Sequence, residues 1–193
     1  GDLVAVADWS VGKIVEYLKA NGLFDNTLLI VTSDNGAMRG ANGHRSMGDF
    51  RGYKASIWEG GHRVPFIATW PGVIKPGALC DETLSLTDLL PTLDRMTGGK
   101  KERVLHGPDG YDMWPSFIGK EKELQEGKPR VFHSGAGLFA LRQGDWKMIE
   151  NPGGRGELYN LAEDPGETKN LWDQQPERVK EMEKTLALIR NRK

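Results

Sequence analysis

Apolar residues at Val11, Ile14, Val15 and Leu18 recur at i, i+3, i+4 and i+7, the spacing of an amphipathic helix. Asn21-Gly22 follows as a helix stop, because glycine takes up a left-handed backbone without steric penalty. The period then changes. Leu28-Leu29-Ile30-Val31 is a short apolar run, β-branched in its second half and flanked by polar turn residues. Such a run reads as a strand covered on both faces. Phe66 to Trp70 gives a second buried strand of the same kind. Asp88 is placed to N-cap a helix through Met96, stopped by Gly98-Gly99. Residues from about 100 to 130 are rich in Lys, Glu, Gly and Pro and read as a linker with a short turn. Short β patterns recur near Val131–His133, Phe139–Arg142, Trp146–Ile149 and Leu158–Leu161, separated by Gly-containing turns, as in an antiparallel meander. Asp173 or Gln175 opens a last helix with Pro176 in its first turn, and Val179, Met182, Leu186 and Ile189 give it one apolar face.

Composition narrows the classes. With 38% hydrophobic residues among 193, the chain can bury a core as one domain or two small ones. A net charge of −1 offers no basic stripe for a nucleic acid. No apolar stretch approaches the roughly 18 residues of a membrane-span candidate. The single cysteine, Cys80, cannot form an internal disulfide and says nothing of compartment. There is no Asn-x-Ser/Thr sequon, no internal repeat and no low-complexity segment.

Candidate chemistry starts where the first strand gives out. Asp34-Asn35 places two hard oxygen ligands just past Ser33, where open α/β sheets carry their sites. A carboxylate and an amide oxygen suit Ca²⁺ or Mg²⁺. Asp-Asn-Gly is also good turn chemistry by itself, so the residues alone leave an Asx turn open. The connection that follows is long for a compact domain. It carries Arg39, His44, Arg45, Arg51, Lys54, His62 and Arg63 between two apolar strands. It is too rich in Trp, Tyr and Phe to read as disordered. A cation cluster beside a metal site is fit to hold an anion, with Lys54 as a point charge on an oxyanion.

Several motifs in order resemble one family. They are Gly22-Leu23-Phe24-Asp25-Asn26-Thr27, Ser33-Asp34-Asn35-Gly36, Arg51-Gly52-x-Lys54, Glu59-Gly60-Gly61-x-Arg63-Val64-Pro65 and Trp70-Pro71-Gly72. Thr87-Asp88-Leu89-Leu90-Pro91-Thr92-Leu93, Gly144-Asp145-Trp146-Lys147 and Glu157-Leu158-Tyr159-Asn160-Leu161-x-x-Asp164-Pro165-x-Glu167-x-x-Asn170-Leu171 continue the likeness over nearly the whole chain. The chain resembles the later half of a sulfatase, an arylsulfatase-type member of the alkaline phosphatase superfamily. The resemblance implies an α/β fold: the C-terminal part of an alkaline-phosphatase-like mixed sheet with helices in residues 1–127, then a small antiparallel sheet with a C-terminal helix in 128–193.

The resemblance also implies roles. Asp34 and Asn35 become ligands of Ca²⁺, with Mg²⁺ as the alternative ion, and Lys54 contacts the sulfate as a catalytic and substrate-binding residue. His44 and Arg45 lie in a loop that borders substrate in some members, and a solvated role fits them equally. Glu59 and Arg63 are read as an ion pair holding the loop, His62 and His133 as structural, and the Met and Trp residues as core. The expected activity is sulfate ester hydrolysis, on a sulfated small molecule or glycan. A phosphodiester or phosphonate monoester hydrolase of the same superfamily and a non-catalytic binding module are the alternatives. Periplasmic or secreted localisation is implied by the family alone.

The departures are equally specific. The Cys/Ser-x-Pro-x-Arg segment whose nucleophile becomes formylglycine has no counterpart, since Cys80 is followed by Asp81, Glu82 and Thr83. The family's second metal-binding Asp pair is missing too, for Asp2 and Asp8 sit in the opening helix pattern. The expectation is a C-terminal portion of a longer sulfatase that is inactive alone, and an exposed sheet edge that invites self-association.

Overall fold

The computed structural model describes residues 1–40, 44–98, 109–120, 124 and 127–191. They form two compact units, one of residues 1–32 and 65–124, the other of 33–64 and 125–193. The long connection thus packs with the C-terminal sheet, although it lies between the two strands of the first unit.

In the first unit, α1 spans Asp2–Ala20 and stops at Asn21, with Gly22 at φ 65°. β1 (Leu29–Thr32) pairs antiparallel with β2 (Phe66–Thr69), Leu29 opposite Thr69 and Thr32 opposite Phe66. The expected cover on both strand faces is only half met. Leu29, Ile30 and Val31 are half-buried, and Ile67 of β2 is exposed. A short apolar run reports that a strand needs cover, not which segment supplies it.

The helix expected after Asp88 is α3 (Leu89–Met96), and Gly98 leaves it at φ 84°. Asp88 is its N-cap residue, as expected, but its side chain makes no cap bond to this helix. A 3-10 turn, Leu86–Asp88, precedes it, and the capping hydroxyl belongs to Ser85. Asp88 is fully buried and answers with its carboxylate, accepting from Ser85 N at 2.7 Å and Tyr111 N at 2.8 Å. This is the reciprocal bonding of a capping box. Within the expected linker, Trp114–Phe117 forms α4, its Phe117 ring edge-on to Phe66 at 6.0 Å. Residues 99–108, 121–123, 125 and 126 of that stretch, with Gly99 of the expected stop, lie outside the described residues. No helix among the described residues is long and apolar enough to cross a membrane.

The second unit holds the expected meander. β3 (Arg130–His133), β4 (Phe139–Gln143), β5 (Trp146–Ile149) and β6 (Glu157–Asn160) pair in sequence order, all antiparallel. Gly144 turns the β4–β5 corner at φ 58°. Successive residues of a strand face opposite ways, and each sheet face has its own cover. Leu141, Met148 and Leu158 pack on Val179, Met182 and Leu186 of α5 (Pro176–Arg190). Ala140, Ile149 and Tyr159 pack on Ile57, Leu161 and the partly buried Trp58. The connecting segment is therefore one wall of this core. Gln175 precedes α5 as its cap, while Asp173 sits in a 3-10 turn and pairs with Arg155 at 2.7 Å.

Candidate functional site

Asp34, Asn35, His44, Arg45 and Lys54 all fall in the second unit, so their surroundings form one local structure. Ser33 opens it, donating from Oγ to the Asn35 carbonyl at 3.1 Å. Asn35 donates from Nδ2 to the Gly36 carbonyl at 2.9 Å, which leaves its amide oxygen as the acceptor. Asp34 is exposed. Consecutive residues of this turn thus offer a carboxylate and an amide oxygen, the kinds of donor a hard divalent cation prefers.

Gly36 fixes this turn against α2 (Glu59–His62), a helical turn the sequence did not announce. Gly36 N donates to the Gly61 carbonyl at 3.0 Å. A Cβ on Gly36 would overlap the Gly60 carbonyl oxygen, so only glycine permits this approach.

Lys54 reaches the same place through the backbone. Its N–H donates to the Ala37 carbonyl at 2.9 Å, two residues beyond Asn35. Gly52 and Ala55 hold positive φ values of 85° and 72° around it. For alanine that conformation costs about 1–2 kcal/mol, and such strain persists where the surroundings over-determine it. Here the Ala55 carbonyl is held by Gly135 N at 2.9 Å. The Lys54 side chain is exposed and has no ion pair among the described residues.

The other cations of the loop divide by role. Arg51 lies over the Trp58 ring at 4.0 Å and donates to Glu157 at 3.1 Å and Tyr159 Oη at 2.8 Å. Burial and the Glu157 hydrogen bond push the Tyr159 phenol well above its usual value. Arg63 covers the Phe50 ring at 4.7 Å and stands 3.6 Å from Glu59. Both arginines anchor the loop: for Arg63 this is the expected pairing with Glu59, whereas the sequence grouped Arg51 with Lys54 as anion-holding charge. Arg45 is paired with Asp49 at 2.8 Å, both exposed. His44 is exposed too. No hydrogen bond or ion pair among the described residues brings His44 or Arg45 to Asp34.

Sequence reasoning missed a charge cluster that gathers around Glu59 of α2. Lys147 of β5 is fully buried, between Glu59 Oε1 at 3.0 Å and Glu167 Oε1 at 2.9 Å. Glu59 N donates to Glu167 Oε2 at 2.6 Å, and Arg142 stands 3.6 Å from Glu59. The expected Glu59–Arg63 pair is present as the more exposed member of this group, at 3.6 Å like Arg142. Burial holds the Glu167 carboxyl above its usual range, although Lys147 pulls it down. His62 packs on Phe132 at 4.9 Å, and burial, reinforced by Lys147, lowers its imidazole to about 4. A lysine inside the run Trp146-Lys147-Met148-Ile149 was the available signal, because such a residue is rarely fully buried unless paired.

No group of three or more His, Cys, Asp or Glu able to hold a metal occurs among the described residues. Asp34 and Asn35 fit a share of the roughly six to eight oxygens around Ca²⁺. They do not make a complete site.

Comparison with known proteins gives these residues a context. The family model described as Sulfatase matches residues 1–99. Steryl-sulfatase of Rattus norvegicus is 44% identical over 127 residues, covering 62% of this chain and 22% of its own length. The N-acetylgalactosamine-6-O-sulfatase of Bacteroides thetaiotaomicron is 31% identical over 217 residues, covering 100% of this chain and 42% of its own. The crystal structure of Ps i-CgsB in complex with k-i-k-neocarrahexaose superposes with a TM-score of 0.80 at 32% identity, over 95% of this chain and 41% of that one. The chain thus spans between about a fifth and two fifths of the length of the relatives it matches.

Proposed function

Since the chain belongs to the sulfatase family, we propose that the whole protein hydrolyses a sulfate ester and that this chain supplies part of its metal and sulfate site. The observation that carries the reading is the Lys54 N to Ala37 O bond. It ties an exposed ammonium to the turn bearing Asp34 and Asn35. Asp34 and the amide oxygen of Asn35 would hold Ca²⁺, which when bound supplies charge neutralisation at the ester oxygens. Lys54 meets the sulfate as a compact positive donor, and a charge-assisted hydrogen bond there is stronger than a neutral one. Gly36 and α2 keep the two ligands adjacent. The attacking group belongs to a formylglycine elsewhere in the whole protein.

The substrate class we favour is a sulfated glycan. The relative matched along the entire chain is named for an N-acetylgalactosamine sulfate, and the structural neighbour holds a carbohydrate. His44 and Arg45 are proposed to border that substrate, with Arg45 held in place by Asp49.

The test uses the whole protein with an aryl sulfate and an aryl phosphonate, alongside metal analysis. Asp34→Ala should lose calcium and turnover while the fold survives. Lys54→Ala should keep calcium but lose about ten- to a hundred-fold in kcat/KM. Lys54→Arg should rescue only partly, because a planar fork does not replace an ammonium. Wild-type kcat/KM in Lys54→Ala would sink the assignment of this loop, and preference for the phosphonate would overturn the sulfatase reading.

A further inference from the structure

Asp34, Asn35 and Lys54 leave unexplained why Lys147, Glu59 and Glu167 are buried so close by. Lys147 is 0% exposed, Glu167 1% and Glu59 4%. We propose that Lys147, clamped between Glu59 and Glu167, is a positioning residue that fixes α2 as the seat of the Asp34–Asn35 turn. The proposal rests on the reading of that turn as a metal site.

The path is short and each link is a contact. Lys147 holds the Glu59 side chain at 3.0 Å, and Glu167 holds the Glu59 amide at 2.6 Å. The first residue of α2 is therefore gripped at both side chain and backbone. The next two are Gly60 and Gly61, which touch Gly36 through the carbonyl contact and the 3.0 Å hydrogen bond. Gly36 adjoins Asn35, and Ala37 then accepts the Lys54 amide. Any displacement of α2 reaches the proposed ligands and the sulfate donor together.

α2 cannot hold itself. It has four residues, two of them glycine. A helix so short is far below the length at which propensity sustains it, and glycine adds conformational freedom that must be restrained. Apolar side chains could fill the volume of a buried ion pair with similar stability. They would not give direction. Glu167 aims a carboxylate at one amide N–H, and Lys147 sets where that carboxylate lies. Glu167 itself sits at φ 54°, in a turn pinned by Asp164, which accepts from Thr168 N and Lys169 N at 2.8 Å. Strain at a non-glycine residue marks a placement that its surroundings enforce.

The experiment is amide hydrogen exchange on the whole protein, with calorimetric calcium titration beside it. In Lys147→Met, peptides covering 33–38 and 52–56 should exchange about tenfold faster or more, with a smaller change over β4 and β5. The calcium half-saturation should rise by a similar factor, about tenfold. Lys147→Met/Glu167→Gln removes one charge of each sign and keeps an acceptor for the Glu59 amide, so it is the variant to read if the single one does not fold. Wild-type exchange at 33–38 and 52–56 in a folded variant overturns the proposal. So does an acceleration spread evenly over the whole unit, the mark of a merely structural residue. Asp34→Ala separates the two ideas. If it binds calcium as the wild type does, the metal assignment fails, while the exchange rates still decide whether Lys147 positions the turn.

Discussion

The sheet of β3 to β6 is walled on both faces, and Leu141, Met148 and Leu158 within it are fully buried. Helix α1 of the other unit buries no residue at all, and Leu3, Val4 and Trp9 stand 86%, 74% and 63% exposed. The contrast extends to buried carboxylates. Asp88 accepts from two backbone amides and ends a turn. Glu59 and Glu167 share a lysine and hold a loop to a sheet. One unit uses its buried charge to cap a helix, the other to join segments that are 108 residues apart in sequence. Where distant segments must keep a fixed geometry, ionic and directional bonds do what apolar contact alone does not.

Three comparisons sharpen that contrast. The largest effect should come from glycine. Gly36→Ala drives a Cβ into the Gly60 carbonyl and should destabilise the second unit by about 3 kcal/mol in denaturant unfolding. Gly12 lies inside α1 with nothing within 4 Å of its virtual Cβ, so Gly12→Ala should stabilise by about 0.5–1 kcal/mol. If both changes have the same sign, the contrast between a packed turn and an open helix fails.

Acid should act next, through His62. Its folded pKa is about 4 against 6.5 when unfolded. Above pH 6.5 the ring is neutral in both states and stability is intact. As pH falls toward 4 the unfolded chain takes up the proton first, so stability is lost, by up to about 3 kcal/mol. Glu167 opposes this, because its raised pKa favours the folded state on acidification. Unfolding of wild type and His62→Gln should therefore diverge between pH 6.5 and 4, and coincident curves would remove His62 from the account.

The smallest change in stability should come from the exposed face of α1. Leu3→Ser/Trp9→Ser should stay within about 0.5 kcal/mol of wild type. It should nonetheless reduce self-association of residues 1–193 in sedimentation, because large apolar side chains this exposed invite a partner. A monomeric parent at high concentration would show that this face does not self-associate.

Spacing alone determined much of this protein. The apolar face of α5, the meander and the end of α1 at Asn21-Gly22 are readable because each depends on neighbours a few residues apart. The turn at Asp34-Asn35-Gly36 is readable for the same reason. Tertiary structure alone decided the rest. It gave the capping hydroxyl to Ser85 and turned Asp88 inward to bond two amides. It assigned Arg51 to anchoring and left the Lys54 side chain exposed beside the turn. It also placed Lys147 88 residues beyond Glu59 in sequence yet 3.0 Å from it in space. Those outcomes depend on which segments cover which face of the sheet, and that is set by burial and charge compensation between distant residues rather than by any local period.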